Sequence, residues 1–115
     1  MNKIILAAAV AIASLSASVS ANAYQLSIAN DTSWSISYFY ISPSNSTVWG
    51  NDQLGSDVIG RGERQHFNVR GGRYDVRIID QDGDACNVMD VQISSNTSWR
   101  LTDRWLLNCQ RQTPR

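Results

Sequence analysis

Gly71-Gly72-Arg73-Tyr74-Asp75-Val76-Arg77-Ile78-Ile79-Asp80-Gln81-Asp82-Gly83-Asp84-Ala85-Cys86 decides the fold class. Tyr74, Val76 and Ile78 alternate with Asp75 and Arg77. That two-residue period places one side chain inward and the next outward along a β-strand, whereas a helix would space its apolar positions by three and four. Asp80 to Asp84 then turns the chain, and Asp82-Gly83 is a favoured pair for a turn between strands. Beyond it, Ala85 to Ile93 reads as the returning strand. Cys86, Val88 and Asp90 share one face by strict alternation; Asn87, Met89, Val91 and Ile93 share the other. Upstream, Gly71-Gly72 reads as a hairpin turn from a strand over Arg64 to Arg70, with His66 facing away from Phe67 and Val69.

The same pattern extends outward. Tyr24, Leu26 and Ile28 alternate, and Asn30 to Ser33 reads as a turn. Trp34, Ile36, Tyr38 and Tyr40 fall on one face of the next strand, Phe39 and Ile41 on the other, and Pro43 ends it. Thr47 to Gly62 reads as a structured connection with a short strand near Val58. Trp99 to Leu107 reads as the last strand or a short irregular element, and Gln110 to Arg115 as a loose polar tail. No helical periodicity stands out after Ala23. Roughly seven short strands punctuated by turns predict an all-β chain, a single-domain β-sandwich of immunoglobulin-like size. A small β-barrel is the alternative architecture.

The N-terminus is of another kind. Lys3 precedes the apolar run Ile4 to Ala13, and small residues lead to Ala21-Asn22-Ala23. This order predicts a secretory signal peptide over 1–23, cut after Ala23, and one β-rich domain over 24–115. The run falls short of the roughly 20 residues a bilayer-spanning helix needs, so no stable membrane insertion is expected after cleavage. No twin arginine precedes it and no cysteine sits at the cleavage site, which points to the general secretory route without lipid attachment. The expected location is the periplasm or the exterior. The Ala-rich leader looks bacterial, so the three Asn-x-Ser/Thr triplets, at Asn30, Asn45 and Asn96, read as chance.

Ten basic residues balance ten acidic ones. Lys3, the sole lysine, leaves with the leader, so the remaining domain is near neutral. That excludes binding driven by phosphate neutralisation, and nucleic acid is not an expected partner. Cys86 and Cys109 are the only cysteines. In an exported domain an isolated pair predicts one disulfide, which would pin the final strand to the one before it. A bridge closing this loop would contribute about 3.5 kcal/mol by the chain-entropy argument. Two free thiols or a two-ligand metal site are the alternatives, but His66 is the lone histidine and a zinc site needs three or four protein ligands.

Four constellations bear on function. Asp80, Asp82 and Asp84 present alternating carboxylates of the kind that bind calcium. Counted from Asp80, the sixth and twelfth positions are Ala85 and Val91, which fails the EF-hand template, and a plain turn is the simpler reading. His66 would be the base of a small hydrolase, yet no Gly-x-Ser-x-Gly elbow accompanies it, and its strand position reads as exposed. Arg70-Gly71-Gly72-Arg73 is a single Arg-Gly-Gly copy between strands and reads as a turn. The aromatic content is the fourth constellation: four Trp, four Tyr and two Phe. Large groups on both faces of the Trp34-to-Ile41 strand exceed what one core needs, so Trp34, Tyr38, Tyr40 and Trp49 are candidate binding residues for a protein or carbohydrate. The expectation is a noncatalytic binding domain without a cofactor, with calcium binding as the rival.

Trp49-Gly50-Asn51-Asp52-Gln53-Leu54-Gly55 has a physical reading of its own. Trp49 and Leu54 would pack down as plugs, Gly50 and Gly55 would allow left-handed backbone, and Asp52 would cap free loop amides. With Asn30-Asp31-Thr32, Ser42-Pro43-Ser44, Tyr74-Asp75-Val76-Arg77 and Asp82-Gly83, this stretch resembles a group of small exported proteobacterial β-rich proteins over residues 28 to 93. The resemblance implies an exported β domain and assigns no site residues.

Overall fold

The computed structural model of the chain describes residues 23–114. The expected signal peptide and its cleavage site lie outside the described residues, apart from Ala23. Six strands and one helix follow: β1 (Ala23–Asp31), β2 (Ile36–Pro43), β3 (Arg64–Arg70), β4 (Gly72–Asp80), β5 (Ala85–Ile93), β6 (Thr97–Thr102) and α1 (Asp103–Gln112). They form two three-stranded sheets. Sheet I has the order β3-β1-β6, with β1 antiparallel to β3 and parallel to β6. Sheet II has the order β2-β4-β5 and is antiparallel throughout. No pairing closes the strands into a ring, so the sandwich expectation holds and the barrel alternative does not.

The core lies between the sheets. Leu26 and Ile28 of β1 and Leu101 of β6 meet Phe39, Val76, Ile78 and Cys86 of sheet II, all fully buried. Phe67 of β3 stacks on Phe39 across the gap, ring centres 4.6 Å apart. One fully buried polar side chain among the described residues joins this interior. Asn30, wholly buried, donates through Nδ2 to the carbonyls of Trp34, Ile59 and Gly60, while its Oδ1 accepts from the Thr32 amide and hydroxyl. Every hydrogen-bonding atom of that side chain is used, which is the condition under which a buried amide is tolerated. The Asn30-Asp31-Thr32 triplet therefore serves an internal tie between the end of β1, the following turn and the 59–60 backbone.

Several expectations change. Gly71-Gly72 makes no hairpin: β3 belongs to sheet I and β4 to sheet II, so Gly71 alone carries the chain from one layer to the other. Tyr74 braces this crossing by donating its hydroxyl to the Arg70 carbonyl at 2.7 Å. The expected face of Trp34, Ile36, Tyr38 and Tyr40 is broken by a register shift between Ile36 and Tyr38. The extra residue turns Ile36 inward beside Phe39 and leaves Tyr38 and Tyr40 outside. A second shift, between Tyr74 and Val76, sets Met89 and Asp90 of β5 opposite Asp75 alone. Asp90 holds φ 58°, and its amide donates to Asp75 Oδ1. This β-bulge reverses the alternation, so Ile93 is buried in company with Cys86 rather than opposed to it.

Trp99 to Leu107 is the largest correction. It is the end of β6 followed by the start of α1. Thr102 caps the helix by accepting from the Trp105 amide, and Asp103 stands in the first turn, where a carboxylate is favoured by the exposed N–H groups. Asp103 also accepts from the Ser33 amide and hydroxyl, docking the β1–β2 turn. Leu106 is fully buried and Cys109 follows it on the same face. Trp105 and Leu107 remain more than a third exposed. The Cys86–Cys109 disulfide forms, with its Cα atoms 5.2 Å apart, and it ties α1 rather than a strand to β5. The segment after α1 is consequently held at Thr113, whose hydroxyl donates to the Cys109 carbonyl and accepts from the Asn87 amide.

Candidate functional site

Cross-strand register builds the candidate site from sheet II outward. Tyr40 stands opposite Arg77 on β4, and Arg77 opposite Asn87 on β5, so the three side chains form one row on the solvent face. Arg77 donates to Asn87 Oδ1 at 3.1 Å. Trp49, from the loop after β2, lies with its ring 5.9 Å from the Arg77 guanidinium carbon, within the range of a cation–π contact. Along β2 the Tyr38 ring lies nearly parallel to Tyr40, with centres 6.3 Å apart. Tyr38 pairs with Ile79, extending the face by one row, and is 46% exposed. Three of the four candidate binding aromatics therefore converge on one surface around Arg77. Trp34 does not join them. It packs against the core at the far end of the β1–β2 turn.

The loop that carries Trp49 explains how the ring is positioned. Asp52 Oδ1 accepts from the Phe39 and Leu54 amides, and the Gln53 amide donates to the Phe39 carbonyl at 2.7 Å. Leu54 is buried in the core, and Gly50 and Gly55 both take positive φ. Leu54 is thus the plug and Asp52 the cap that the sequence implies. Trp49 departs from that reading: it lies half-buried over the outer face instead of entering the core. Sequence alternation pointed to Tyr38 and Tyr40, but nothing in it signalled Arg77 and Asn87, since their role comes from a three-strand register.

Beside this face a groove of about 600 Å³ opens between β5 and α1, lined in part by Arg77, Leu107 and Arg111. Arg77 belongs to both surfaces. The aromatic row and the groove thus meet at Arg77, and the groove adds the Arg111 guanidinium, the exposed Asp84 carboxylate, Gln110 and Thr113.

The other candidates have local roles. The carboxylates of Asp80, Asp82 and Asp84 lie within 4.8 Å of one another. Asp80 is buried. Its Oδ1 accepts from the Asp82 and Asp84 amides and its Oδ2 from Gln110 Nε2 at 2.8 Å. Both oxygens are therefore engaged in holding the hairpin and in anchoring α1, which is what a turn aspartate does. Asp82 and Asp84 point to solvent. His66 lies opposite Ser27 in the β1–β3 register, with Nδ1 2.7 Å from the Ser27 hydroxyl oxygen. Ser27 is 7% exposed on a regular strand, and among the described residues no carboxylate hydrogen-bonds the imidazole. A nucleophile needs an oriented base and an approach for substrate; this pair satisfies a buried hydroxyl.

Among the described residues no helix is long and apolar enough to cross a membrane. The disulfide is the chemistry of an oxidising compartment. Comparisons with protein-family models, with curated proteins and with solved structures give no match to this chain.

Proposed function

We propose that the chain is an exported, noncatalytic binding domain of the periplasm or the exterior, and that it binds a protein or carbohydrate through the outer face of sheet II. One observation carries this reading: Tyr38, Tyr40 and Trp49 gather around Arg77 on the solvent side, away from the core those rings would otherwise fill. Aromatic and arginine side chains give large contact area with few rotatable bonds, and they dominate binding energy where they are desolvated by a partner. The Arg77–Asn87 pair adds directional donors and acceptors to the rings. The predicted leader and the disulfide support the location.

The test compares the wild type with Tyr38→Ser and Trp49→Ala as baits against periplasmic extract and an oligosaccharide panel. We expect a ligand retained by the wild type, with affinity falling at least tenfold in each variant while the melting temperature of Tyr38→Ser stays within a few degrees. No ligand in either format, or a ligand held equally by both variants, sinks the assignment of this face.

A further inference from the structure

The four sheet edges are treated differently. On β2, Ile59 exchanges two backbone hydrogen bonds with Ile36, and the Asp52-Gln53 pair occupies both backbone groups of Phe39. On β5, the disulfide and Thr113 bring α1 against Cys86 and Asn87. Each edge of sheet II is thus covered over part of its length, β2 at Ile36 and Phe39 and β5 at Cys86 and Asn87. Sheet I ends in β3 and β6, and among the described residues no hydrogen bond reaches the Gln65–Val69 or Ser98–Leu101 backbone from the side away from β1. An uncovered edge is a row of unpaired donors and acceptors, able to take up one more strand.

We infer that the β3 edge, Arg64–Arg70, accepts an extended segment of a partner protein in which acidic and apolar residues alternate. On the outer face β3 presents Arg64, His66 and Arg70, all exposed. The ion pairs of the described residues are Arg73–Asp90 and Arg100–Asp31, so among these residues Arg64 and Arg70 have no carboxylate partner. A second copy is a poor occupant. Antiparallel pairing of two β3 strands about Phe67 sets Arg64 against Arg70, and like charges directly opposite are destabilising. An added strand with acidic side chains there reverses the sign of that interaction. On the inner face Phe67 is half-buried against Phe39 and Val69 is buried. An apolar residue beside Phe67 therefore extends the existing core. The alternation follows from the two-residue period that places successive side chains on opposite faces. The β6 edge is less suited, being one residue shorter, with its Arg100 already paired to Asp31.

Basic residues on an edge also serve to keep edges apart, and the experiment separates the two roles. The probes are an eight-residue peptide alternating valine with glutamate, its valine–lysine counterpart, and the glutamate peptide with alternate backbone nitrogens methylated. Affinity is read by fluorescence anisotropy and location by hydrogen exchange of the β3 amides. The glutamate peptide is expected to protect amides within Arg64–Arg70, to bind at least tenfold tighter than the lysine peptide, and to lose binding on methylation. Arg64→Glu with Arg70→Glu is expected to reverse the preference between the two unmethylated peptides while leaving the melting temperature within a few degrees. Protection by neither peptide, equal binding of both, protection confined to other strands, or binding indifferent to methylation each overturns the proposal.

Discussion

Sheet I and sheet II share one core and differ in almost everything outside it. Sheet I is regular: its ladders run without a register shift, its outer face is polar, and among the described residues nothing pairs with either edge. Sheet II carries two register shifts, an aromatic outer face, and a cover on each edge. Irregularity and capping go together here. The shift at Ile36/Tyr38 turns the two tyrosines outward and sets the Ile36 and Phe39 backbone groups to face Ile59 and the Asp52 loop. The cover on the opposite edge is supplied by a helix stapled to β5. Sheet II is thus an aromatic-faced layer with partly covered sides, and sheet I a plain layer whose sides no described residue pairs with.

The largest expected effect removes the staple. Cys86→Ser with Cys109→Ser should cost about 3.5 kcal/mol by loop entropy, a drop of roughly 15–25 °C in melting temperature for a domain of this size. Calorimetry of the oxidised wild type against the double variant measures it, and equal midpoints would show that the β5 edge is held without the bridge. Next, Asp52→Ala strips one carboxylate oxygen from two amides and uncovers β2. A charge-assisted bond of this kind is worth about 1.5–3 kcal/mol, and a chemical denaturation midpoint reads the loss. Asp90→Val tests the β5 bulge: a β-branched residue at positive φ should lower stability by about 1–2 kcal/mol, whereas Asp90→Gly should not. On the open side, Arg64→Ala with Arg70→Ala should stay within about 0.5 kcal/mol of wild type, because exposed side chains without partners contribute little. A loss comparable to Asp52→Ala would mean that the β3 edge is not free. The smallest effect concerns the Asp80 turn. Millimolar calcium should leave the melting temperature unchanged, since both Asp80 oxygens are occupied; a rise of several degrees would restore a metal role.

Legibility in the sequence follows the same division. Tyr24, Leu26 and Ile28 were readable as one face because β1 alternates without interruption, and so were Tyr74, Val76 and Ile78 of β4. The β2 and β5 faces were misread at Ser37 and at Met89-Asp90. A bulge inserts one residue into a two-residue period, and its cause lies in the partner strand. The helix escaped notice because only Leu106 and Cys109 face inward over its ten residues, and Trp105-Leu106-Leu107 imitates a buried strand. Within the candidate site, Tyr38, Tyr40 and Trp49 were legible as surplus aromatics. Arg77 and Asn87 were not, because an arginine on an alternating strand is ordinarily just its solvated side.

The strand-forming class, the Asp80–Asp84 turn, the glycine-permitted loop with Asp52 as its cap, and the pairing of the only two cysteines are all legible in the order of residues. Each depends on local backbone preference, alternation, or there being no other partner available. The tertiary structure alone decided which strands share a sheet, that one residue at Gly71 separates the two layers, that the disulfide holds a helix, and that Tyr38, Tyr40 and Trp49 meet at Arg77. Those outcomes depend on register between segments far apart in the chain. A one-residue shift in register exchanges core and surface along a whole strand, and that choice is fixed only when the neighbouring strand is in place.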